Sequence, residues 1–183
     1  MVSIICLVEK DIKKLIAFSS VSHIRFIVAA LLTKSEIGII GSKLFLLSHG
    51  VSSAGIFYAA YFIYTISNSR SIMINKAFLA ITPEFCGVLA LFSFINISAP
   101  PTPNFFREIF CIIPVFQTSP VSFFPLRLII FFRVAYSILL YSLSQYSQAP
   151  QRPFKQNTLS SQKDLVYFLA LVYYSIIIFP TIL

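Results

Sequence analysis

Nine ionisable side chains stand within apolar runs of this chain: His23, Arg25, Lys43, His49, Glu84, Arg107, Glu108, Arg127 and Arg133. Each costs roughly 2.5–3.5 kcal/mol at mid-bilayer on insertion scales, so such residues are functional by default. Serines accompany both histidines: Ser19, Ser20 and Ser22 lie around His23, and Ser48, Ser52 and Ser53 around His49. An imidazole accepts a proton on one ring nitrogen while it donates from the other. A carboxylate at membrane depth can load and release a proton. Two histidines, a glutamate and nearby hydroxyls therefore suggest a proton relay with waters bridging the gaps. The alternative is a pair of satisfied structural histidines and a helix-capping glutamate, and composition leaves both open. No metal site is expected, because two histidines lack a cysteine or acidic cluster at ligand spacing. Lys10, Lys13 and Lys14 read as interfacial anchors, with Glu9 and Lys13 at a favourable i,i+4 spacing.

The elements that carry these residues must be membrane helices. The chain has 183 residues, of which 57% are apolar and 11% charged, and its mean hydropathy is +0.86. A soluble domain carries about 25% charged residues, and one core of this size cannot hide so much apolar surface. A water-soluble enzyme, a disordered tail and a disulfide scaffold are excluded. Five glycines and no GxGxxG or GxxxxGK string argue against a nucleotide loop. Cys6, Cys86 and Cys111 form no CxxC and read as small buried apolar residues. The net charge of +8 is spread among apolar runs, so it reflects membrane topology and not a nucleic-acid partner. Glu9 and Asp11 follow the first apolar run at once, unlike a removable targeting peptide.

The expected spans are Ile12–Thr33, Ile37–Ser67, two pieces near Phe78–Ala99 and Asn104–Thr118, Val121–Tyr146 and Leu165–Leu183. A polar linker, Ser147–Asp164, precedes the last span. Charge decides how the two middle pieces cross. If they form one interrupted crossing, the N-terminal end, the Asn68–Lys76 loop and the linker share one side. That side then holds Lys10, Lys13, Lys14, Arg70, Lys76, Arg152, Lys155 and Lys163, against Lys34 in the loops of the other. This is a strong positive-inside pattern. The prediction is an all-α integral membrane protein, a single membrane domain over residues 1–183. It has about five crossings, the third discontinuous at Pro100–Pro101. Broken backbone at that depth survives only inside protein or beside water, and commonly marks an ion path.

Five strings then carry a resemblance: DIKKLIAFSSVSHI (Asp11–Ile24), LLSHGVSSAGIF (Leu46–Phe57), SNSRSIMINKAF (Ser67–Phe78), APPTPNFFREIF (Ala99–Phe110) and AYSILLYSLSQY (Ala135–Tyr146). In this order they resemble the chain 4 group of the antiporter-like, proton-pumping membrane-arm subunits of respiratory NADH:ubiquinone oxidoreductase, complex I. The resemblance covers essentially this whole chain but only about the last two-fifths of a typical member. It implies the tenth helix onward of a fourteen-helix fold with two inverted five-helix repeats, and the break at Ala99–Pro103 matches the broken twelfth helix. It places His23, His49 and Glu108 on the family's central polar axis, with Glu108 at the exit end. Lys13, Arg70, Pro100 and Pro101 match structural or loop motifs.

The resemblance further implies a mitochondrial inner-membrane subunit without a cofactor or redox centre of its own. NADH, FMN, iron–sulfur clusters and ubiquinone are expected elsewhere in the complex. Partners are expected to be the lipid bilayer, neighbouring antiporter-like subunits and a separate chain with the upstream helices. The family's fifth-helix glutamate and its seventh- and eighth-helix lysines lie upstream of this chain. The family usually has small residues at Arg25 and Arg107, and apolar or neutral ones at Lys43 and Arg133. Arg107 is the candidate to pair with Glu108, and Arg133 should face protein or water. Two further readings stay open: a structural, non-pumping member of the membrane arm, and a cation/proton antiporter component.

Overall fold

In a computed structural model of the chain, residues 2–75, 83–100 and 102–145 are described, without the side chains of 83, 84, 103 and 123. Among the described residues six helices follow in order: α1 (Val2–Val8), α2 (Ile12–Leu32), α3 (Glu36–Ser67), α4 (Pro83–Ile97), α5 (Pro103–Thr118) and α6 (Phe123–Gln145), the last led in by a 3₁₀ turn at Pro120–Ser122. The fold is that of an all-α integral membrane protein of about five crossings. α2, α3 and the Pro120–Gln145 segment are each long and apolar enough to cross a bilayer. The expected Leu165–Leu183 span, the Ser147–Asp164 linker and Pro101 lie outside the described residues.

Local chemistry sets the helix ends. Asp11 caps α2, its carboxylate accepting from the backbone N–H of Lys13 at 2.9 Å and of Lys14 at 3.4 Å. Ser35 caps α3 by accepting from Gly38 N–H at 3.1 Å. Asn68, in the left-handed region at φ 53°, ends α3. An isolated bridge between Asp11 and Ser71 then joins the start of α2 to the loop after α3. Ile12 N donates to Arg70 O at 3.0 Å, and Ile72 N to Lys10 O at 2.8 Å. Lys10, Lys13, Lys14 and Arg70 therefore share one side of the membrane, here termed the basic side.

α4 and α5 form one crossing in two halves. Phe62 of α3 stacks on Phe85, Gly55 meets the ring of Phe92, Ser48 bonds Asn104 and Gly41 meets Phe110. Equal two-turn steps down α3 thus meet α4 and then α5 in order, so the broken helix runs antiparallel to α3 from end to end. The glycines let the helices approach closely, as suits packing in lipid, where small residues replace hydrophobic drive. A Cβ on Gly41 would lie 2.8 Å from Phe110 Cβ.

The break is a helix stop in full. Ser98 takes φ 57°, Ser98 N–H donates to Ile95 O at 3.0 Å, and Ala99 N–H donates to Phe94 O at 3.1 Å. This is the Schellman pattern with serine in the position usually held by glycine. Pro100 has no N–H with which to continue α4, and Pro103 opens α5 at its first turn.

Two apolar clusters flank the break. On the basic side, Leu15, Ile16, Ile56, Phe62, Phe85, Phe92 and Leu140 belong to one. On the far side, Ile27, Ala30, Phe45 and Cys111 form the other. The buried Ser19, Ser22, His23, Ser48, Asn96, Asn104 and Glu108 lie at the chain positions between them, and Arg133 and Ser137 of α6 join this layer by hydrogen bonds to Glu108 and Asn96. Cys6, Cys86 and Cys111 are buried and unbridged.

Candidate functional site

The polar layer is built on the severed ends of the broken helix. A helix that stops leaves carbonyls without intrahelical donors, and at this depth each needs a partner from the protein. Asn104 Nδ2 donates to Ile95 O at 3.1 Å, and Arg133 Nη2 to Ile97 O at 3.2 Å. The same Arg133 grips Glu108 through both carboxylate oxygens, with Nη2 to Oε2 at 2.8 Å and Nη1 to Oε1. Arg133 is 1% exposed and Glu108 5%. The guanidinium also lies over the ring of Phe26, 5.9 Å from its centroid. One α6 side chain thus ties the end of α4 to the middle of α5.

This corrects the expectation that Arg107 is the partner of Glu108. Consecutive residues point about 100° apart on a helix, and the cation on the Glu108 carboxylate comes from α6. Arg133 meets the expectation that it faces protein.

His23 lies next along the layer, 1% exposed. Its Nε2 is 2.9 Å from Asn96 Oδ1, while Asn96 Nδ2 donates to Ser137 Oγ at 3.2 Å. With its amide so turned, Asn96 presents only an acceptor, and Nε2 is the N–H of the neutral ring. Nδ1 then keeps its lone pair and has no hydrogen-bond partner in the structure. The half-buried His49 ring is tilted against His23, centroids 5.1 Å apart, and stacks on Phe45 at 6.2 Å.

The structure therefore brings His23 and His49 together and puts Glu108 in the same layer, bound to Arg133. Ser48 donates to Asn104 Oδ1. The Ser22 hydroxyl bonds Ser19 O at 2.7 Å and lies 3.3 Å from Tyr136 Oη, and Ser52 donates to His49 O at 3.1 Å. Lys13 and Arg70 sit apart from this layer, exposed at the basic side. Arg25, Lys43 and Arg127 are also exposed, on the outer faces of their helices. Asn96, Asn104, Tyr136 and Ser137, which carry no charge, complete the layer and were not among the residues singled out in the sequence. Their uncharged amides and hydroxyls in apolar runs were the available signal.

The membrane region of the NADH:quinone oxidoreductase/Mrp antiporter family matches residues 1–135. The chain belongs to this family. A relative from Anopheles arabiensis, NADH-ubiquinone oxidoreductase chain 4, is 36% identical over 81% of this chain and 67% of its own length. Its counterpart from Ceratitis capitata is 35% identical over 81% of this chain and 33% of its own. The respiratory complex I structure from Thermus thermophilus with bound NADH contains a chain with the same fold. It covers 93% of this chain and 36% of that one, with TM-score 0.84 and 17% identity. The chain thus spans about a third of most relatives it matches. Over the length it spans, it is similar to chain 4 of NADH-ubiquinone oxidoreductase.

Proposed function

We propose that this subunit supplies the exit-side half of a proton path coupled to NADH:ubiquinone oxidoreduction in the mitochondrial inner membrane, and that a separate chain supplies the upstream helices. The reading rests foremost on the buried layer at the broken helix, where the His23 and His49 rings lie 5.1 Å apart. His23 Nδ1 accepts a proton while Nε2–H stays on Asn96. The imidazolium so formed is transient, because the buried ring passes a proton on to His49. A proton passes between the rings through one water or by ring rotation, and leaves through Glu108. Loading Glu108 requires breaking the two charge-assisted bonds to Arg133, so Arg133 must find other acceptors during each transfer. Ile97 O already holds one of its N–H groups.

No electron step belongs to the residues of this chain. NADH, FMN, iron–sulfur clusters and ubiquinone act in other subunits, and energy reaches this layer through packing and charge.

The Arg133–Glu108 pair also favours a second reading, a membrane-arm subunit that holds its neighbours but does not pump. A carboxylate fixed by a buried guanidinium is a structural tie. Affinity purification through this chain tests the assembly common to both readings. NADH:ubiquinone reductase activity should co-purify, together with a short membrane chain carrying a glutamate and two lysines in its helices. Recovery of sodium- or potassium-linked transport without NADH oxidation would overturn the proposal.

A further inference from the structure

Lys13 and Arg70, which the proton layer does not use, converge on a cavity of about 390 Å³ at the basic side of the membrane. The bridge between Asp11 and Ser71 sets the two cations at the same level. Below them the cavity wall is one stripe of α3: Tyr64, Tyr61, Ala60 and Phe57. These positions have the i, i+3, i+4, i+7 spacing of a single helix face, and the stripe runs about 10 Å into the span at 1.5 Å per residue. Tyr61 is 53% and Tyr64 38% exposed, and the Arg70 guanidinium lies over Tyr64 at 5.4 Å.

We propose that this groove binds an anionic phospholipid, its headgroup phosphate between Lys13 and Arg70 and one acyl chain along the α3 stripe. Two cations at the boundary with an apolar channel directly beneath match both ends of such a molecule. The tyrosines place polar tips at headgroup level and apolar rings deeper. A neutral phosphatidylcholine would set its choline cation against two positive side chains. The site is separate from the histidine layer and does not depend on whether that layer moves protons.

The test uses the assembled complex in phosphatidylcholine vesicles, with trace phosphatidylglycerol or trace phosphatidylcholine carrying a photoreactive diazirine on one acyl chain. Adducts are mapped by mass spectrometry. The phosphatidylglycerol probe should label the Phe57–Tyr64 stretch well above the phosphatidylcholine probe. Lys13→Gln with Arg70→Gln should lower that labelling about tenfold or more, while Lys13→Arg with Arg70→Lys should preserve it. Excess inorganic phosphate should leave it unchanged. Equal labelling by the two probes, undiminished labelling in the charge-removed variant, competition by inorganic phosphate, or absence of adducts because another polypeptide fills the groove would each overturn the assignment. If the charge-removed variant does not assemble, the comparison of the two probes on the unmodified complex decides alone.

Discussion

Arg133 carries the largest single-residue consequence, because it satisfies a buried carboxylate and a severed helix end together. Arg133→Leu should destabilise the chain by about 3–5 kcal/mol, since it strands Glu108 without a partner. Adding Glu108→Leu should recover most of the loss, because an apolar pair replaces a buried ion pair at little cost. The yield of assembled complex and its thermal midpoint measure both effects. Asn96 should matter through His23. Asn96→Leu removes the acceptor that fixes Nε2–H, so the ring samples both tautomers, while Asn96→Asp keeps an acceptor. Nitrogen-15 NMR of labelled histidine distinguishes the outcomes: one tautomer in the original chain, a mixture in Asn96→Leu. A single unchanged tautomer in Asn96→Leu would remove that role. At this scale the sequence announced only its charges. His23, His49, Glu108 and Arg133 were legible because ionisable groups in apolar runs are costly. The pairing of Arg133 with Glu108 was not, because it joins residues on different helices and depends on which faces meet.

The broken crossing was the element most legible in the sequence. Positive charge on one side and the Pro100 turn together required one interrupted helix, and contacts from Phe62–Phe85 to Gly41–Phe110 run in the order such a helix demands. Gly55 is the most constrained point on that track, because any Cβ meets the Phe92 ring. Gly55→Val should therefore cost about 1–3 kcal/mol through overpacking, while the same change at Gly50, where a Cβ meets nothing within 4 Å, should cost far less. Denaturant titration of the assembled complex compares them. The serine stop was not legible, since Ser98 in the left-handed region departs from the usual glycine signal. Nor was the Asp11–Ser71 bridge, which pairs two short loops far apart in sequence.

At the scale of the molecule, this chain presents cations outward at membrane depth and a polar layer across its interior. Arg25 and Lys43 are exposed on their helices, and each lies about 10 Å from the far end of its span at 1.5 Å per residue, within reach of a snorkelling side chain or a neighbouring subunit. Large apolar side chains such as Leu32, Phe124 and Phe131 face outward as well. Expressed alone in detergent, the chain should elute as aggregate on size-exclusion chromatography, and co-expression with its partner chains should give a defined complex. A monodisperse monomer would contradict that dependence. The proposed passage of protons through this layer is tested by the number of protons moved per NADH oxidised by reconstituted complex carrying Glu108→Gln. The ratio should fall with NADH oxidation retained, because the substitution removes a proton carrier and no redox group. An unchanged ratio would contradict it and leave the Arg133–Glu108 pair as a structural tie.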